Sequence, residues 1–313
     1  MPDSWVLVFP GQGAQAVGMA RDIADALPEA REMFKAADDI LGVNLSRIIF
    51  EGPDTELVDT ANQQPALVLV GLVIKKALEV KLGRPVTCSA AAGLSLGEYA
   101  ALCAVEALTF EDALRLVRKR GELMKMAGQL KPSGMSVIMN LPADKVKACC
   151  AQAEKETGGI VSPSNYNGGG QIVIGGTLDA LAKAGDLCKA AGAKRVLKLP
   201  VSGAFHTVLM QPAADQFNTV LDKAAIRRAV EPVYANVTAA RVQDADEIRD
   251  ALKRQITCPV LWEQTIQNLI STGRRQFLEL GPGSTVSNMI KRISTEAQCR
   301  AVSTWADVQA FAP

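Results

Sequence analysis

Gly93-Leu94-Ser95-Leu96-Gly97 lies between a short apolar run, Val86 to Ala92, and a stretch with helical patterning, Glu98 to Val105. Strand, sharp glycine turn and helix is the setting of a G-x-S-x-G nucleophile elbow, which holds a serine hydroxyl at the tip of a strained turn. Such an elbow requires a buried strand that feeds directly into a packed helix, and so a layered α/β protein. The two glycines let strand and helix close up behind the serine. The helix N-terminus favours negative charge developing beside it. Three fixed positions in five recur by chance, so the flanking strand and helix carry the argument more than the pattern does.

A serine hydroxyl is a weak nucleophile until a base within hydrogen-bond reach takes its proton. Histidine suits that task best near neutrality, and His206 is the only histidine in 313 residues. It ends the segment Val201-Ser202-Gly203-Ala204-Phe205-His206, which follows Pro200 and a predicted strand over 195–199. A loop at a strand end is where catalytic groups are commonly mounted. The order, serine before histidine, is that of α/β-hydrolases. No third acid stands out: Asp112, Asp144, Asp179 and Asp186 each open or sit in amphipathic helical stretches and read as solvent-facing. A backbone carbonyl could orient the imidazole instead. The residues alone therefore leave open an acyl transferase, a serine hydrolase such as a thioesterase, and a silent docking module.

Composition narrows the partners. Hydrophobic residues make up 48% and charged residues 21%, with a formal net charge of +1, so no global field recruits nucleic acid or an anionic membrane. The longest apolar run, Ala66 to Ile74, is too short to span a bilayer and reads as a buried helix. With a first strand read at Trp5 to Phe9, no signal peptide is expected ahead of it. Seven cysteines without C-x-x-C spacing read as free thiols in a reducing compartment, and no metal site is expected.

Residues 1–128 alternate strand-like and helix-like pieces, including Pro10-Gly11-Gln12-Gly13, helices near 29–41 and 64–82, and a long helix that Thr109 caps. Residues 129–199 read β-α-β-β-α-β, with strands at 135–139, 160–162, 171–174 and 195–199 and helices at 143–156 and 177–191. That is the ferredoxin-like order. Asn165-Tyr166-Asn167-Gly168 falls between two of its strands. Alternation returns over 200–313, where a last helix at 284–294 completes the core. The expected architecture is an α/β-hydrolase-like core, in two parts, with an inserted ferredoxin-like small subdomain.

Seven segments, in order, resemble the malonyl-CoA:acyl-carrier-protein transacylase family. They are Phe9-Pro10-Gly11-Gln12-Gly13-Ala14-Gln15, Gly93 to Glu98, Arg120-Gly121-Glu122-Leu123-Met124, Asn165-Tyr166-Asn167, Gly203-Ala204-Phe205-His206, Gln255 ahead of Pro259-Val260-Leu261-Trp262, and Leu280-Gly281-Pro282-Gly283. The resemblance implies an acyltransferase that moves malonyl from malonyl-CoA to holo acyl carrier protein by a ping-pong route, for type II fatty-acid or polyketide synthesis. Ser95 would be the acylated nucleophile, His206 its base, and the Gln255 carbonyl the acceptor for the other imidazole nitrogen. Backbone N–H groups of Gln12 and Leu96 would form the oxyanion hole. Arg120 would hold the malonyl carboxylate through two charge-assisted hydrogen bonds, in a substrate pocket shared with Met124, Asn167 and Phe205. Beside His206, the Phe205 ring would crowd an α-methyl group.

The implied partners are acyl carrier protein and coenzyme A esters, with no cofactor, nucleic acid or membrane and a monomeric chain. Carrier protein is acidic in that family, which makes Lys194, Arg195, Lys198, Lys291 and Arg292 candidates for meeting it. Leu94 stands where many members carry histidine, and with Gly-Ala-Phe-His it resembles plastid-type members. The expected location is the bacterial cytoplasm or, for a chain freed of its transit peptide, a plastid stroma.

Overall fold

Val6-Leu7-Val8-Phe9 buries all four side chains, as a strand covered on both faces must. In the computed structural model, which describes residues 5–312, it is the first of ten strands. These are β1 (Val6–Phe9), β2 (Ala90–Gly93), β3 (Ser133–Met139), β4 (Val161–Gly168), β5 (Gln171–Thr177), β6 (Arg195–Lys198), β7 (Val233–Tyr234), β8 (Arg241–Val242), β9 (Gln276–Leu280) and β10 (Gln298–Val302). Six form one sheet in the order β10-β9-β1-β2-β7-β8 and four form a second in the order β4-β5-β3-β6.

The larger sheet is parallel from β10 to β7 and closes with an antiparallel β8. Its central strands are buried between helices, an α/β architecture. β2 is narrower than the expected 86–92: it starts at Ala90, and its three alanines are fully buried between β1 and β7. The apolar run Ala66 to Ile74 lies inside one 23-residue helix, Thr60–Leu82, and every residue of the run is buried. No helix among the described residues is long and apolar enough to cross a membrane. All seven cysteines are free thiols.

The four-stranded sheet is antiparallel at every pairing and lies wholly between β2 and β7 in sequence. Helices Ala143–Thr157 and Leu178–Ala190 cover it with a separate apolar cluster built on Ile138, Ile174, Val146 and Cys188. Asn165-Tyr166-Asn167 was expected between strands but belongs to β4. The free edge of β4 finds partners in a distant segment: Tyr166 N–H donates to Val260 O and Val260 N–H to Ser164 O, both at 2.9 Å. The turn is tightened into Gly168-Gly169-Gly170, all at positive φ.

A second departure lies at the end of the chain. Helix Thr285–Ile293 does not complete the core, because β10 adds a parallel strand beyond it and a short helix, Trp305–Gln309, follows. The alternation Gln298-Cys299-Arg300-Ala301 spans only four residues, and the strand is mostly half-buried, so its period-2 signal in sequence is short.

Candidate active site

Ser95 follows β2 directly, at φ +56°, a left-handed conformation rare for a residue with a side chain. Its neighbours explain how the turn is held. A Cβ on Gly97 would lie 2.5 Å from Phe9 O, and one on Gly93 would collide with the Gly97 carbonyl. The Asn236 side chain completes the clamp: its Oδ1 accepts from Ser95 N–H at 2.7 Å, and its Nδ2 donates to Gly93 O at 2.7 Å. Strain of this kind persists only where surrounding structure over-determines it, and it concentrates at functional sites.

His206 also has positive φ, +59°, and is 4% exposed. Its Nε2 lies 2.8 Å from Ser95 Oγ and its Nδ1 2.8 Å from the main-chain O of Gln255. A carbonyl only accepts, so Nδ1 carries the proton and Nε2 is free to accept from the serine hydroxyl. The Gln255 carbonyl thus sets the tautomer that a third acid otherwise sets. Burial, and next the Arg120 charge, pull the His206 pKa down to about 4, which keeps the imidazole neutral at physiological pH.

Arg120 is 1% exposed on the long helix Phe110–Leu130. Nη1 donates to Gln64 Oε1 at 2.8 Å, and Nη2 to Gln255 Oε1 at 3.0 Å and Ser95 Oγ at 3.1 Å. Nε has no acceptor. Burial lowers the Arg120 pKa, opposed by Tyr99 and Glu98, and its guanidinium carbon stands 5.7 Å from the Tyr99 ring centre. No carboxylate bonds to it among the described residues, so a guanidinium with donors to spare faces the serine.

These groups open onto a cavity of about 470 Å³ between the C-terminal ends of β1 and β2 and the four-stranded sheet. Ligands of parallel sheets bind at that end. Gln12, Leu96, Met124, Asn167 and Phe205 all line it. The N–H groups of Gln12 and Leu96 have no acceptor among the described residues, and Asn167 Oδ1 is buried without a partner. Gln64 touches Arg120 and also donates to Met124 Sδ at 3.5 Å. Leu94 packs toward Val260 and Met289 at the cavity wall. Lys194, Arg195, Lys198, Lys291 and Arg292 are exposed and outside the cavity lining.

Sequence reasoning passed over Asn236 and Glu98. Glu98 is contiguous with the elbow, and a carboxylate one residue past its second glycine was the available signal. Asn236 carried none: it is 141 positions from Ser95 and lies just past a two-residue strand.

Residues 6–309 match the family model described as "Acyl transferase domain". The malonyl CoA-acyl carrier protein transacylase of Bacillus subtilis is 40% identical over 296 residues, covering 95% of this chain and 92% of that one. Among solved structures, an acyl carrier protein S-malonyltransferase from Vibrio cholerae superposes with a TM-score of 0.93 at 37% identity, covering 98% and 99% of the two chains. A malonyl-transacylase in complex with its type II PKS acyl-carrier protein gives 0.92 at 40% identity, covering 98% of each chain.

Proposed function

The chain belongs to the malonyl-CoA–acyl carrier protein transacylase family, and from that premise we propose that it moves a malonyl group from coenzyme A to the phosphopantetheine thiol of acyl carrier protein through an ester on Ser95. The observation that carries this reading is the buried Arg120 with a hydrogen bond to Ser95 Oγ and no carboxylate of its own. A hydrolase of neutral acyl groups has no use for such a cation, whereas a malonyl carboxylate pairs with it through two parallel hydrogen bonds.

Ser95 Oγ attacks the thioester carbon while its proton passes to His206 Nε2. The tetrahedral oxygen is held by the N–H groups of Gln12 and Leu96, whose missing acceptors support that role. The C–S bond then breaks, and the proton on His206 goes to the departing sulfur. In the second half, His206 takes the proton of the carrier thiol, the sulfur attacks the ester carbon of malonyl-Ser95, the C–Oγ bond breaks, and the same proton returns to Ser95 Oγ. A pKa near 4 makes His206 a weak base at rest. Each imidazolium must therefore form only transiently, as the oxyanion beside it develops. Met124, Asn167 and Phe205 would line the acyl and pantetheine path.

The same reading divides the chain into an α/β-hydrolase-like core, residues 1–128 and 200–313, and a ferredoxin-like small subdomain, residues 129–199. The spatial order β6-β3-β5-β4 of the smaller sheet supports the second assignment. The proposed location is that of its carrier, a bacterial cytoplasm or a plastid stroma. Intact-mass spectrometry after mixing with malonyl-CoA tests the proposal. One malonyl group is expected on the wild type and none on Ser95→Ala, and an unlabelled wild type refutes the assignment.

A further inference from the structure

Behind the Ser95–His206 pair, two side chains each tie several parts of the site together. Gln255 accepts from His206 at its main-chain O and from Arg120 at Oε1, and its Nε2 donates to Ser95 O at 3.0 Å. Asn236 holds the elbow through Ser95 N–H and Gly93 O. Both converge on one atom: Glu98 Oε2 accepts from Gln255 Nε2 at 2.9 Å and from Asn236 N–H at 3.0 Å. Glu98 is 2% exposed, makes no hydrogen bond to the serine hydroxyl and is not itself a cavity-lining residue.

The geometry points to Glu98 as the positioning residue of this site, an ionised carboxylate that locks the elbow through Asn236 and the base and arginine through Gln255. A carboxylate is the group this place requires. Two N–H donors from different segments meet at one oxygen, and charge-assisted hydrogen bonds hold such donors more strongly than neutral ones. The Gln255 carboxamide also links opposite charges, with Arg120 on its oxygen and Glu98 on its nitrogen. Each charge therefore polarises the amide toward the other. Protonated, Glu98 weakens as an acceptor, the Gln255 side chain keeps only Ser95 O and Arg120 as partners, and the residue that supports both Arg120 and His206 loses one of its anchors. Displacements of about 1 Å in a reacting constellation lower rates by about 10².

The charged and titratable groups around Glu98 are Arg120 and Tyr99, with His206 on the far side of Gln255. Burial raises the carboxyl to about 7, although both hydrogen bonds and Arg120 lower it. His206 titrates near 4, well below. Glu98 is thus the group of this network that changes charge near neutrality. The rate of Ser95 acylation is expected to rise about tenfold from pH 6 to pH 8 as the carboxylate forms.

The inference rests on the malonyl-Ser95 reading, and rapid-quench mass spectrometry of the full chain with malonyl-CoA between pH 5.5 and 8.5 separates the two. Wild type should show the rise centred near pH 7. Glu98→Gln should fold with an unchanged melting temperature, acylate about tenfold more slowly at pH 8, and show no pH dependence across the range. A wild type that acylates equally fast at pH 6 and pH 8 overturns the role even where the variant fails to fold. So does a Glu98→Gln protein that keeps both the wild-type rate and the wild-type profile. A wild type that takes up no malonyl group at any pH refutes the function itself, and this inference with it.

Discussion

The two walls of the cavity are built on different physical terms. On the side of the larger sheet the site is main chain: the Ser95 turn, the N–H groups of Gln12 and Leu96, and the Gln255 carbonyl that holds His206. Glycines there have backbone oxygens where a Cβ would go. On the side of the smaller sheet and the 200–206 segment the wall is side chain: Met135, Val137, Asn167, Val173 and Phe205. The first wall can change only by losing its geometry. The second can exchange one side chain for another and keep the fold. On the proposed reading the first wall would supply chemistry common to many acyl groups, and the second, together with Arg120 from the helix Phe110–Leu130, would choose among them.

Removing the imidazole is the severest test of that contrast. His206→Ala leaves no other histidine to stand in, and Ser95 acylation is expected to fall by about 10³ or more in stopped assays. Survival of a tenth of the activity would show that the main-chain wall does not depend on its base. Gly97→Ala comes next. Its Cβ would press against Phe9 O at 2.5 Å and Pro10 O at 2.7 Å, two backbone atoms that cannot step aside. The expected result is a lowered melting temperature and acylation reduced by about 10². A variant with wild-type stability and rate would mean that the elbow tolerates more than its packing implies.

Arg120→Ala should cost about 10² in kcat/KM for malonyl-CoA while leaving acetyl-CoA within a few-fold, so that the ratio of the two reports the carboxylate contact. An equal fall for both esters would assign Arg120 to holding Ser95 rather than to selecting substrate. Smallest, and confined to the side-chain wall, is Phe205→Ser. It should raise methylmalonyl transfer relative to malonyl by about tenfold, since one methyl group is worth roughly that much in a fitted pocket. Comparable turnover of both esters by the wild type would remove Phe205 as a size filter.

The larger elements were legible in the sequence because their patterns are local. Thr109 ahead of Asp112 marks the start of the Arg120 helix, where the Thr109 hydroxyl accepts from Asp112 N–H at 3.0 Å. The buried run 66–74 lies inside one helix, and the β-α-β-β-α-β succession of the small sheet follows the expected order. What escaped notice has no sustained local period. β10 mixes polar and apolar residues at an edge, helices such as Asp54–Leu57 are a single turn, and β4 is lengthened by a partner some 95 residues away at Val260.

Sequence alone determined the chemical vocabulary of this protein: one serine on a glycine turn, one histidine, and an ordered set of motifs that resembles a single family. Residue type and close spacing are enough for that, since an elbow needs its glycines within five positions. Only the tertiary structure decided the grammar. It set which carbonyl orients His206, that Arg120 points inward with a donor unmatched, and that Glu98 gathers Asn236 and Gln255 at one oxygen. Those contacts join residues 49 to 157 positions apart. Distances across such separations are set by how whole elements pack, and no short pattern of residues encodes them.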